Sequence, residues 1–199
     1  MKGHSRHDIL AVIMAVVAAG SFAAGVRGDV LYQQTPGSSQ VPSQNFTDSG
    51  DFSTYEFDDF LVRDVSWNVT KITIAGVEEG DPTLNTGVKL AITTGADFSL
   101  VTTVFDGVED DTGSLVFDNV NSTLGFGANL WITAWVERPF NPGGQWFWRT
   151  ANDGQPVGSE EIFHNPGGGF GQGTAPIPGS TVFGTPADLA FTIEGTIGP

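Results

Sequence analysis

Residues 130–136 read LWITAWV, and the alternation in this stretch decides the fold class. Side chains on a strand point to opposite faces in turn, so Leu130, Ile132, Ala134 and Val136 share one face, and Trp131, Thr133 and Trp135 the other. Residues 138–144, RPFNPGG, follow with two prolines and a glycine pair and cannot extend the strand. Residues 145–150, QWFWRT, then return antiparallel, with Trp146 and Trp148 on one face.

The same reading works outward along the chain. Residues 67–76, WNVTKITIAG, and 88–94 alternate in the same way, with Ile72 and Ile74 sharing a face and Val88, Leu90 and Ile92 another. Residues 29–34, 52–62, 100–105, 115–117 and 189–194 read as further strands. Residues 35–50 and 165–178 are rich in Pro, Gly, Ser and Gln and read as loops, the second either a flexible surface loop or a binding loop. With about nine or ten short strands and no helical period beyond the N-terminal segment, an all-β fold is expected. The expected architecture is a single antiparallel β-sandwich, jelly-roll-like, over residues 29–199.

The N-terminal segment stands apart. Lys2 and Arg6 head an apolar run, ILAVIMAVVAA at residues 9–19, and small residues follow at Ser21, Ala23, Ala24 and Gly25. That order predicts a signal-peptide helix over residues 1–28 and export, with no membrane attachment after cleavage. Without residues 1–28, which hold Lys2, Arg6, Arg27 and Asp8, five basic and 22 acidic residues remain, a net charge of −17. Nucleic acid and anionic lipid are excluded as partners by that charge, and a monomer is expected. The chain has no cysteine, which removes disulfides, thiol catalysis and cysteine zinc sites.

Four stretches resemble a group of secreted bacterial proteins that often end in a PEP-CTERM sorting tag. They are DVLYQQ from Asp29, FDDF at residues 57–60 followed by Trp67, LWITAWV and GGQWFW within residues 130–148, and DLAFTIEG from Asp188. The resemblance implies an extracellular β-sandwich module and brings no catalytic residues. The Pro-Glu-Pro motif, apolar helix and basic end of the tagged members do not stand in residues 185–199, so sorting by that tag is not expected.

Catalytic signatures are missing from the sequence. His164 is the single histidine after residue 28 and no G-x-S-x-G elbow occurs, so a nucleophilic triad has no support. The acidic doublets Asp58/Asp59 and Glu160/Glu161 cannot each supply a facing carboxylate pair for glycoside hydrolysis, because neighbours on a strand diverge. Two acidic turns carry oxygen donors suited to a structural calcium ion: Glu78, Glu79 and Asp81, and Asp106, Glu109, Asp110 and Asp111. The plainer reading of each turn is a solvated acidic loop. The tryptophans offer a ligand-binding surface. If the aliphatic faces form the core, Trp131, Trp135, Trp146 and Trp148 make an outward strip able to stack on sugar rings, with Asn141, Gln145 and Arg149 supplying polar contacts. The opposite arrangement, with the tryptophan face inside, stays open.

Two functions are compatible with these readings. One is a non-catalytic secreted module that binds a polysaccharide or extracellular-matrix component through surface aromatics. The other is a structural or adhesive envelope component with no small ligand. A glycoside hydrolase is a distant third.

Overall fold

The computed structural model describes residues 28–98, 101, 103–152 and 157–198. The expected signal peptide therefore lies outside the described residues, save Gly28. In chain order the first strands are β1 (Asp29–Gln33), β2 (Pro36–Pro42), β3 (Gln44–Phe46), β4 (Tyr55–Leu61), β5 (Trp67–Ile74), β6 (Gly76–Gly80), β7 (Gly87–Thr93) and β8 (Thr103–Asp106). After them come β9 (Val108–Glu109), β10 (Leu115–Phe117), β11 (Ser122–Leu124), β12 (Asn129–Arg138), β13 (Gly144–Ala151), β14 (Ile162–His164), β15 (Ile177–Pro178), the short helix α1 (Gly179–Phe183) and β16 (Phe191–Ile197). The fold is all-β, as the alternation predicts.

Two sheets form the sandwich. A six-stranded sheet runs β1-β16-β5-β10-β9 with β11 also on β5, and a seven-stranded sheet runs β15-β14-β4-β12-β7-β8 with β3 also on β12. Pairing is antiparallel except between β3 and β12. Ile132, Ala134 and Val136 of β12 and Leu90 of β7 meet Val69, Ile72, Ile74 and Ile193 of the other sheet in one apolar core. The face assignment made for residues 130–136 thus holds. Burial of each of the Ile, Val and Leu side chains contributes about 1.5–3 kcal/mol.

A third sheet of three strands, β2-β13-β6, closes one side of the core. The chain reaches it by turning a corner at Ala75, between β5 and β6, so one continuous segment serves two sheets. β2 is a correction to the sequence reading, which makes residues 35–50 a loop. Pro36 and Pro42 bound this strand, and it pairs on one side only, with β13. Proline is tolerated on an edge strand, where the missing N–H faces away from the ladder. Residues 165–176 hold no strand or helix, in keeping with their composition.

Candidate functional site

Parity on β13 decides what the site is made of. Trp146 and Trp148 point inward and are 0% exposed. Each indole N–H finds a backbone carbonyl inside: Trp146 Nε1 donates to Gly113 O at 2.7 Å and Trp148 Nε1 to Ala190 O at 2.9 Å. Gly76 makes room for the first, since a Cβ there would lie 2.5 Å from the Trp146 ring. The tryptophan strip does not form on this strand; the open alternative, tryptophans inside, is the arrangement found. On β12, Trp131 and Trp135 do leave the core side, yet Trp135 is buried edge-on against Tyr55 (5.4 Å) and Phe98 (5.5 Å). Trp131 alone is half-exposed.

Burying the two tryptophans turns Gln145, Phe147 and Arg149 outward, all half-buried. Across the ladder Gln145 faces Glu79, Phe147 faces Pro42 and Val77, and Arg149 faces Gln40. Gln40 Nε2 donates to Glu79 Oε1 at 2.8 Å, and the Arg149 guanidinium reaches Gly37 O at 3.4 Å. The outward face of the small sheet therefore carries two amides, the Glu79 carboxylate, one guanidinium and one aromatic ring. Gln145 and Arg149, read as polar contacts from the sequence, belong to it.

At its Gln145 end this face runs into a cleft of about 370 Å³ lined by Phe46, Ser49, Phe52, Phe140, Gln145 and Phe170. Phe46 is its buried floor, while Phe52, Phe140 and Phe170 are 46%, 54% and 46% exposed. The rings are held edge to face, Phe140 on Phe46 at 5.5 Å and Phe170 on Phe52 at 5.3 Å. Asp48 fixes the Phe140 loop by accepting the backbone N–H groups of Phe140 (2.7 Å) and Asn141 (3.2 Å), which hold its carboxyl below the usual range. The exposed Asn141 side chain stands at this rim. Gly144, at φ 75°, turns the chain back into β13 where a side chain would meet Glu79 O at 2.6 Å. Sequence reading missed the four phenylalanines. The signal was present: Phe140 and Phe170 sit among prolines and glycines, where no alternating core pattern accounts for a large apolar ring.

No family model matches the chain, and no curated protein matches it.

Six of the seven expected calcium ligands take partners within the chain. Glu78 forms a bidentate pair with Arg138, both contacts 2.7 Å, and Asn85 links the same group to Glu109 at 2.7 Å. Burial, followed by a hydrogen bond shared with Glu78, raises the Glu109 carboxyl to about 7. Glu79 accepts from Gln40, Asp81 from the Thr83 hydroxyl and N–H, Asp106 from Lys89, and Asp110 from Thr112 and Ser114, while Asp111 is exposed on its turn. Among the described residues no three acidic or histidine side chains converge as a metal site. The two turns do meet, through Glu78 and Glu109, but the cation between them is the Arg138 guanidinium. These donors do not fit calcium, and millimolar calcium is expected to leave the thermal midpoint within about 1 °C; a rise that EDTA reverses would contradict this assignment.

Of the acidic doublets, Asp58 points inward and accepts from Leu189 N at 2.8 Å, whereas Asp59 accepts from Ser159 N at 2.8 Å. Glu160 accepts from Ser180 N and Glu161 from Ala187 N. Neither doublet presents two carboxylates to one cleft. His164 is buried beside Tyr55, Phe57 and Phe98, and burial lowers its basicity.

Proposed function

We propose that this chain is an exported, non-catalytic β-sandwich module that binds a neutral polysaccharide along the outward face of β2-β13-β6 and in the adjoining phenylalanine cleft. The observation that carries the reading is the continuity of that surface. An antiparallel face bearing Gln40, Gln145, Phe147 and Arg149 leads, through Gln145, into three exposed rings above a buried one. Sugars present apolar ring faces and hydroxyl edges together, and this surface offers aromatic faces beside amide donors and acceptors. A net charge of −17 outside residues 1–28 disfavours anionic polymers. The leader read in residues 1–28 and the resemblance to secreted bacterial modules support an extracellular setting.

Affinity electrophoresis of residues 29–199 through gels containing hydroxyethyl cellulose, xylan, glucomannan or mixed-linkage glucan tests the reading. Retardation by at least one polymer is expected, with Phe140→Ala/Phe170→Ala weakening it about tenfold or more, that is about 1.4 kcal/mol or more. Unchanged retardation of this double variant would move the site elsewhere, and free migration in every gel would favour a structural envelope component.

A further inference from the structure

We propose a second, smaller site for a neutral sugar unit in the cleft between β2, the end of β13 and residues 185–187, with Glu161 at its base. The cleft measures about 370 Å³, at the lower end of the range for small-molecule sites. It does not depend on the phenylalanine cleft, although Gln40 borders both it and the polysaccharide face. Gln145 and Ala151 lie at opposite ends of β13, roughly 20 Å apart at 3.3 Å per residue.

Its walls follow from the ladder and from one carboxyl. β2 brings Ser39 and Gln40 beside Thr150 of β13, whose hydroxyl donates to Ser39 O at 3.3 Å. Opposite stand Thr185 and Phe183, the last residue of α1, its ring 40% exposed. Glu161 is bracketed by both ends of this segment: its N–H donates to Ala187 O and its carbonyl accepts from Gly179 N, each at 2.8 Å. The Glu161 side chain, 1% exposed, accepts from Ala187 N at 2.8 Å.

The chemistry of the lining selects the ligand class. None of the lining residues is Lys or Arg, and the Arg149 guanidinium at the edge is engaged with Gly37 O at 3.4 Å, so an anionic ligand would find little free countercharge, and a divalent cation would find a single carboxyl. Hydroxyls and an amide that line one cleft with an exposed ring match a polyol ring, which needs donors and acceptors at its edge and an apolar contact on its face. Burial raises the Glu161 carboxyl to about 7 against the opposing pull of the Ala187 N–H, with Glu160 and Asp188 adding to the rise. In mildly acidic solution it is then a neutral donor as well as an acceptor, and a sugar hydroxyl meets it without confining a charge.

Saturation-transfer NMR at pH 6 with the methyl glycosides of glucose, galactose, mannose and xylose tests the site on the chain from residue 29. Transfer to at least one glycoside is expected. Thr185→Trp, at an exposed lip, should cut it to less than about a tenth, Glu161→Gln, a neutral amide that still donates and accepts, should leave it within about twofold at pH 6, and Phe140→Ala/Phe170→Ala should leave it unchanged. If the Thr185 variant loses the parent's near-ultraviolet circular dichroism, Ser39→Trp on the facing lip replaces it. No transfer to any glycoside, transfer that survives the blocked lip, or loss on removing the two phenylalanines would each overturn the proposal. The polysaccharide reading fails separately, because the blocked-lip variant should still be retarded in polysaccharide gels if that reading is right.

Discussion

Replacing Arg138 by methionine is expected to cost about 3–5 kcal/mol of folding free energy, measured by urea unfolding at pH 7. The Arg138 side chain is 0% exposed and its Glu78 partner 15% exposed, with two contacts of 2.7 Å between them. Asn85 lies 3.4 Å from the same guanidinium and passes a hydrogen bond to Glu109. Methionine fills a similar volume, so the loss is not one of packing. It comes from leaving two neighbouring carboxyls, Glu78 and Glu109, without the cation that offsets their desolvation. Arg138→Met combined with Glu78→Gln should therefore recover more than half of the loss, because the stranded charge is removed with its partner. A single variant within about 1 kcal/mol of the parent would show that the pair contributes little to this fold.

Stability is expected to fall as pH rises from about 5 to 8. Glu56, Asp58, Glu161 and Glu109 all titrate above the ordinary carboxylate range, in each case chiefly through burial. Glu56 is 0% exposed, and neither of its carboxyl oxygens meets a hydrogen-bonding group among the described residues. Asp58 accepts from Leu189 N and Asp59 N, which favours the charged form, but burial and the nearby Asp188 and Asp59 outweigh them. The sign follows from proton counts. Between the unfolded and folded values the folded chain holds protons that the unfolded chain has released, so stability is full below about 4.5 and declines as pH climbs through about 7. For Glu161 alone, raised from 4.5 to about 7, the change is on the order of 2–4 kcal/mol. His164, held below its usual value by burial, acts the other way and penalises acid pH, one group against four. Thermal unfolding from pH 4.5 to 8.5 reads the trend. Glu56→Met should flatten it and raise stability at pH 8 by about 1–3 kcal/mol, since an acid without partners gives way to an apolar chain of similar length. A midpoint that rises with pH would refute the protonation of these buried acids.

The limits of the sequence reading trace to particular residues. On β12 alternation sorts the side chains into two faces without telling which is core; Ile132, Ala134 and Val136 enter the main core, and Thr133 and Trp135 on the other face are buried as well. On β13 both faces carry aromatics, Trp146 and Trp148 against Phe147, and alternation marks the strand without saying which face is inside. The deciding partners, Gly113 O and Ala190 O, are 33 and 42 residues away along the chain. The edge strand β2 escapes notice because its Pro, Gly and Ser read as turn chemistry, although an edge tolerates them. FDDF shows correctly that Asp58 and Asp59 diverge. It gives no sign that Asp58 is wholly buried, since carboxylates ordinarily mark the surface. The phenylalanine cleft gathers residues from 46 to 170, a juxtaposition made only by the folded chain.

The central claim is that the outward face of β2-β13-β6 and its phenylalanine cleft bind a neutral polysaccharide. The most direct measurement is amide-resolved NMR of the isotope-labelled chain from residue 29, titrated with soluble xylan, glucomannan and mixed-linkage glucan. The expected result is saturable shifts with one of these polymers, centred on Gln40, Gln145, Phe147, Arg149 and Phe140. Shifts absent with every polymer, or centred on the opposite side near Trp131, would contradict it.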